Sequence, residues 1–248
     1  MKTSVVIPAT NGNFGYLNCI LRHYEDGVEI PDEVVISISN AHKLESSDID
    51  WLEDKFKDAF ELKIIRHSCT MIQGPNRDSV TKSATGDIII SNDADDIPHP
   101  QRVQIIKKLF AENDIMQLNH GYQTKKSFQF VQDMEIVSCE RVFNHHFPNC
   151  DPNLKDRPNP HDLGFHAPYG GNLPWTIHAG NVAFSKAVFD VMSWRHTEEI
   201  AWDYDFCMDV LYHFKKSMII DAPLLWYNLL DTRRNYANPK DLGELYKE

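Results

Sequence analysis

Along the chain, short runs of β-branched residues alternate with stretches whose apolar positions recur every three or four residues. Ser4-Val-Val-Ile7 is a strand-like run stopped by Pro8, and Ala9-Thr-Asn-Gly-Asn13 reads as the loop that follows. Leu17, Ile20, Leu21 and Tyr24 then sit at i, i+3, i+4 and i+7, one face of a helix. Residues 34–38 form a second buried strand. Ile49, Leu52, Phe56 and Phe60 return to helical spacing behind Ser46, Ser47 and Asp48, residue types that favour helix starts. Residues 62–66 predict a third strand, 78–84 a helix closed by Gly86, and 87–91 a fourth strand. Pro100 is expected to open a helix whose inward face is Val103, Ile106 and Phe110.

Such alternation predicts an α/β fold: a Rossmann-like, mainly parallel sheet with helices on both faces. Open sheets of this class bind ligands at the carboxyl ends of their strands. The positions just after Ile7, Ile38 and Ser91 therefore carry the most information about function.

The pattern breaks near Asn144. Residues 144–174 hold six of the 13 prolines and four of the 12 histidines, with turn-forming Asn, Asp and Gly filling much of the rest. This predicts a loop-rich excursion within one domain spanning 1–248, of the kind that serves as a lid or binding loop or else is disordered. Order is expected to resume at 182–184, with a short helix after Ser185. A longer helix starts near Asp203 with Phe206, Val210, Leu211 and Phe214 inward. Residues 218–220 and 224–227 read as two final strands. There is no internal repeat.

Composition narrows the partners. The chain has 248 residues, 25 Lys+Arg against 36 Asp+Glu, and a net charge of −11. That balance offers no general attraction to nucleic acid or to an anionic membrane. Cys19, Cys69, Cys139, Cys150 and Cys207 are odd in number and scattered, which argues against a disulfide framework or a cysteine zinc site and for a reducing compartment. The N-terminus enters a strand at once, without an apolar leader core. The longest apolar region, 218–230, is interrupted by Asp221, Pro223 and Asn228, so no transmembrane segment is expected. A cytoplasmic location follows as an expectation.

The chemistry concentrates in Ser91-Asn-Asp-Ala-Asp-Asp96, which sets three carboxylates at the end of a buried strand. Crowded carboxylates are costly unless a cation or hydrogen-bond donors compensate. Mg²⁺ or Mn²⁺ commonly joins one or two carboxylates to substrate phosphates, and the Asp-x-Asp spacing directs Asp93 and Asp95 to one such site. The alternative is a solvated acidic turn preceding the helix at Pro100. The histidines 145, 146, 161 and 166 form no familiar zinc spacing, and no His-Glu-x-x-His is present.

Three segments in order carry a resemblance. Ser4-Val-Val-Ile-Pro-Ala-Thr-Asn11 resembles the opening strand of the family 2 glycosyltransferases. Asn76-Arg-Asp through Ala84-Thr-Gly-Asp87 resembles that family's Ala-Arg-Asn segment, and Ser91–Asp96 resembles its Asp-x-Asp element. His178-Ala-Gly-Asn181 and Trp202-Asp-Tyr-Asp205 resemble the family's later region. The resemblance implies a GT-A fold, with residues 1–111 as the nucleotide-sugar-binding half and 112–248 as the acceptor half. It implies inverting transfer from a UDP- or GDP-linked sugar to an acceptor hydroxyl, with Mn²⁺ or Mg²⁺.

Carried over residue by residue, the resemblance places the donor against Pro8, Ala9, Thr10, Asn11, Ser39, Arg77, Asp93, Ala94 and Asp95, with Asp93 and Asp95 toward the metal. It makes Asp203 the catalytic base, a position where the residue is also a good helix N-cap. It puts Trp175, His178, Gly180, Asn181, Trp202 and Asp205 on the acceptor side. The tail arginines 233 and 234, outside the resemblance, either close over the diphosphate or are surface charge. The chain departs from the family in three places: Asp78 replaces an Asn, Trp202 replaces a Glu, and Ser39-Asn40 stand where an Asp usually contacts the nucleobase or ribose. Ser39 and Asn40 either bind the base or make a turn. Trp202 is either core or a sugar platform. Two other functions compete: a sugar nucleotidyltransferase, disfavoured because residues 9–14 contain no Lys or Arg, and a non-catalytic carbohydrate-binding protein on a transferase-like fold.

Overall fold

The computed structural model describes residues 1–123, 128–138, 179–194 and 202–227. Its framework is one nine-stranded sheet. In chain order the elements are β1 (Thr3–Thr10), α1 (Phe14–Glu25), β2 (Glu33–Ser39), α2 (Ser46–Phe56), β3 (Glu61–Arg66), α3 (Gln73–Ser83), β4 (Ile88–Ser91), β5 (Ile97–Pro98), α4 (Arg102–Glu112), β6 (Gln117–Gln123), β7 (Glu135–Ser138), β8 (Val182–Ser185), α5 (Trp202–Phe214) and β9 (Ser217–Trp226). The strand order is β3-β2-β1-β4-β8-β6-β9-β5, with β7 also on β9.

The first four strands pair in parallel, as the strand-helix alternation predicts. The second half is mixed. β8 runs antiparallel between β4 and β6, whereas β6 and β9 are parallel. On its other side β9 pairs antiparallel with β7 along 218–221 and with β5 at 225–226.

Strand parity assigns the two faces, because successive side chains point to opposite sides. Val5, Ile7, Ala9, Val34, Ile36, Ile38, Ile88 and Ile90 meet α1, α2 and α4 in one core. Val6, Val35 and Ile89 meet Val80 and Ala84 of α3 on the opposite face. There Val182 and Phe184 of β8 also pack against Phe206 and Val210 of α5 and against Trp194. Each such aliphatic side chain contributes roughly 1.5–3 kcal/mol on burial. Phe60, expected on the α2 stripe, lies beyond the helix end and stacks on Phe56 with ring centroids 5.9 Å apart.

Several expected boundaries move. α4 begins at Arg102, not Pro100, because Ile97-Pro98 join the sheet and the His99 amide donates to Leu224 O at 3.1 Å. α3 begins at Gln73, five residues earlier than its apolar spacing indicates. The two final strands are one, with β6 shifting register around Gly121, where an added Cβ would lie 3.3 Å from Ala222 O. The excursion at 144–174 lies outside the described residues, as do the four histidines within it. Among the described residues, no helix is long and apolar enough to cross a membrane.

Candidate active site

The carboxyl ends of β1, β2 and β4 converge with the start of α3. Ser37 and Asn76 fix how α3 meets the sheet. Asn76 donates from Nδ2 to Ala9 O at 2.9 Å and accepts from the Ser37 hydroxyl. This seats the neighbouring Arg77 at the sheet end, only 3% exposed. Its Nη1 donates to Ser91 Oγ at 2.7 Å, and its Nη2 pairs with Asp93. The guanidinium carbon lies 5.7 Å from the Trp194 ring centroid. Trp194 is itself pinned, its indole N–H donating to Thr81 Oγ1 at 3.1 Å and its ring stacking on Phe206 of α5.

The acidic turn is braced from below by Asn92. Its amide continues the ladder to Val6 O at 3.0 Å, and its Nδ2 donates to Asp93 O at 2.7 Å and Asp96 O at 3.0 Å. Ala94 and Asp96 are buried, whereas Asp93 and Asp95 keep partial access to solvent. Asp95 is pushed up from the ordinary 3.8 to about 6, first by burial and then by the charge of Asp93, against the opposing pull of Arg77. Two carboxylates that resist joint ionisation suit a divalent cation, which favours both charged forms. Among the described residues, no cluster of three or more His, Cys, Asp and Glu forms a closed cage. A pair of carboxylates with room for substrate oxygens is the donor set that Mg²⁺ or Mn²⁺ accepts.

Other expected donor contacts occupy the rim. Thr10 Oγ1 donates to Asn13 Oδ1 at 2.6 Å and receives the Gly12 amide at 3.2 Å, so it shapes the turn at Asn11–Asn13. Pro8 and Asn11 are half-buried beside it. Ser39 is fully buried, and its hydroxyl receives the Met71 amide at 2.8 Å. Asn40 adopts a left-handed φ of 57°, which Asn tolerates well, and accepts from Thr70 Oγ1 at 3.0 Å. Both residues thus hold the 67–71 segment across the end of β2.

The residues expected on the acceptor side meet at the turn Ala179–Asn181. Asp203 is the second residue of α5 and not the N-cap expected of it, because the helix already begins at Trp202; its carboxylate accepts the Ala179 amide at 3.2 Å instead. Gly180 O receives Arg102 Nη2 at 2.6 Å, and Asn181 Nδ2 donates to His120 O at 2.8 Å. Asp205 is half-buried two residues further along α5. Trp202 opens that helix; its side chain lies outside the described residues, as do Trp175, His178 and the tail arginines.

Sequence reasoning missed Tyr24, Asn76, Asn92, Arg102 and Trp194. The clearest signal was at Arg102, which precedes Ile106 and Leu109 by four and seven positions and so belongs to the buried stripe of α4.

An α/β sheet of this order, with a carboxylate-bearing turn after β4 and a buried arginine facing it, is the GT-A glycosyltransferase fold. The family model described as glycosyl transferase family 2 matches residues 4–168, and the chain belongs to that family. Solved structures agree on the fold. S. aureus TarS 1–349 in complex with UDP-GlcNAc superposes with a TM-score of 0.65 at 14% identity, over 99% of this chain and 64% of that one. The Pyrobaculum calidifontis mannosyltransferase in complex with GDP-Man and Mn²⁺ gives 0.58 at 14% identity, over 90% and 55%. Mycobacterium tuberculosis glucosyl-3-phosphoglycerate synthase in complex with Mn²⁺, UDP and glucosyl-3-phosphoglycerate gives 0.57 at 13% identity, over 98% and 75%. The chain spans less than two thirds of the TarS chains, from 39% to 64%. No curated protein sequence matches it.

Proposed function

We propose that the chain is an inverting, metal-dependent glycosyltransferase that moves a sugar from a UDP- or GDP-linked donor to an acceptor hydroxyl, in the cytoplasm. The observation that carries this reading is the turn presenting Asp93 and Asp95 opposite the buried, two-armed guanidinium of Arg77. Residues 1–111 act as the donor half, and 112–248 as the acceptor half of one catalytic domain. The bound nucleotide sugars named for the P. calidifontis and TarS structures supply the analogy for the donor.

In this mechanism Pro8, Ala9, Thr10 and Asn11 line the nucleotide side, Ser39 supports it from beneath by holding the 67–71 segment, and Asp93 and Asp95 are the side chains that would hold the divalent ion. When bound, that ion neutralises charge developing on the departing diphosphate. Arg77 adds a fixed positive charge on the same side. The Asp203 carboxylate takes the acceptor hydroxyl proton as the new oxygen–carbon bond forms at the anomeric centre. The bond to the diphosphate breaks with its electron pair leaving on the nucleotide, which inverts the centre. Trp175, His178, Gly180, Asn181, Trp202 and Asp205 shape the acceptor side.

The test is incubation with a panel of UDP- and GDP-sugars and sugar acceptors, with Mn²⁺ or with chelator, counting released nucleoside diphosphate and the anomer formed. Metal-dependent release with an inverted product supports the reading. Pyrophosphate turnover from a sugar phosphate and a nucleoside triphosphate would instead make the chain a nucleotidyltransferase. Nucleotide or sugar binding with no turnover would make it a binding protein.

A further inference from the structure

We propose that Arg102 is a positioning residue for the transfer step: it fixes the Ala179–Asn181 turn, and through it Asp203, against the Asp93–Asp95 turn. This rests on the assignment of Asp203 as base and of the acidic turn to the donor. Arg102 is fully buried at the first position of α4, 0% exposed. A guanidinium offers five N–H donors in a rigid planar fork, and five contacts surround this one. Nε donates to His120 Nε2 at 3.2 Å. Nη1 donates to Tyr24 Oη at 3.0 Å and to Asn92 Oδ1. Nη2 donates at 2.6 Å to both Ser91 O and Gly180 O.

The last two contacts matter most, because they place one nitrogen between two otherwise separate backbones. Ser91 and Asn92 carry the acidic turn. Gly180 lies one residue beyond Ala179, whose amide is held by the Asp203 carboxylate. The remaining partners are locked in turn. His120 Nδ1–H donates to Gly121 O at 2.7 Å, leaving Nε2 as an acceptor for Arg102, and burial beside that guanidinium keeps the ring neutral. Tyr24 Oη donates to Asn92 Oδ1 at 2.8 Å, which closes a ring of bonds around the same carbonyl. The side chains are spent on the frame, and the reacting groups inherit their separation from it. An in-line displacement depends on that separation: misplacing a reacting group by about 1 Å costs roughly 10²-fold in rate.

The experiment is a double-mutant cycle of Arg102→Lys and Asp203→Asn. It uses whichever panel donor the wild type hydrolyses fastest, with water as acceptor and Mn²⁺ present. Released nucleoside diphosphate gives kcat, and calorimetry with UDP and GDP gives affinity. A lysine keeps the charge but cannot span Ser91 O and Gly180 O from one planar group. Arg102→Lys is expected to lower kcat roughly 10²-fold while nucleotide affinity changes by less than about threefold. On the Asp203→Asn background the same substitution should add little further loss, because residues acting as a unit are non-additive. The same rate factor on both backgrounds, or a loss of affinity equal to the loss of kcat, would overturn the positioning role. Wild-type turnover in Asp203→Asn alone would instead remove the base assignment on which it rests. If Arg102→Lys does not fold, Tyr24→Phe is read through the same cycle. It removes one contact to Arg102 and one to Asn92 without a change of charge, and about a tenfold kcat loss that vanishes on the Asp203→Asn background is expected.

Discussion

Asp95→Asn should make the metal-free protein more stable at neutral pH, even though Asp95 belongs to the proposed donor site. Its carboxyl is raised from 3.8 to about 6 by burial and by Asp93. Between those values the folded chain holds a proton at Asp95 that the unfolded chain has lost. Stability therefore falls as pH rises through that window and stays low above it. At about 1.4 kcal/mol per pH unit the gap is worth about 3 kcal/mol. Because the side chain keeps some solvent access, about 1.5 kcal/mol is a realistic share. Asparagine preserves the shape without the charge, so it recovers this amount at pH 7.5, about half of it at pH 5 and little at pH 4. For a chain of this size, about 2–4 °C per kcal/mol makes the neutral-pH gain about 3–6 °C. Thermal melts of wild type and variant in chelator at the three pH values measure it. With UDP or GDP and Mn²⁺ the order should reverse, since only the wild type gains stability from binding. A variant that melts at or below the wild type in chelator at pH 7.5, or a gain that does not shrink toward pH 4, would refute the account of the acidic turn.

Three further outcomes are expected. Asp203→Asn should melt near the wild type, because its amide oxygen can still accept the Ala179 N–H, and lose roughly 10²–10⁴-fold in turnover, whereas Asp203→Ala loses that bond and should also lose about 1 kcal/mol of stability; normal turnover in the Asn variant excludes the base role. Arg77→Lys cannot grip Ser91 Oγ and Asp93 from one plane, and the loss of a charge-assisted bond should weaken UDP or GDP binding roughly tenfold or more by calorimetry; unchanged affinity would remove Arg77 from the donor site. Gly86→Ala puts a Cβ 2.6 Å from Ser4 Oγ and 2.7 Å from Ser4 N, a backbone contact that cannot swing away, so urea unfolding should show a loss of about 1–3 kcal/mol; a wild-type midpoint would show that β1 yields freely there.

The parts of the fold that follow from apolar period were legible, and those held by polar groups were not. Val34–Ile38 and the α1 stripe need only parity and spacing to be read. β6 reads as Gln-Leu-Asn-His-Gly-Tyr-Gln, too polar for a central strand, yet its first five residues are buried. Its His120 and Asn119 are sustained by partners that the local pattern does not reveal, Arg102 and Gln117 among them. β5 is two residues long and depends on β9, more than 120 residues later. In the candidate site, the Asp-x-Asp turn announced itself through local charge, and Arg77 through the family resemblance of its segment. The braces behind them did not, because Asn92, Tyr24 and Arg102 meet only in three dimensions. Ser39 was rightly placed at a strand end, but whether its hydroxyl serves a ligand or the chain depends on Met71, thirty-two positions away.

The insertion of β8 between β4 and β6 has a consequence for vectorial synthesis. β4 ends at Ser91, and its second neighbour begins at Val182, 91 positions later. At roughly 5–20 residues per second, a ribosome needs roughly 5–18 s to deliver that neighbour. During this interval the parallel quartet β3-β2-β1-β4 lacks the strand that later covers its β4 side, and Ile88-Ile-Ile-Ser91 is apolar and uncharged, the kind of edge that recruits foreign strands. A nascent chain stalled in this window is therefore a natural client for a holding chaperone, and truncation anywhere before residue 182 leaves that edge bare for good.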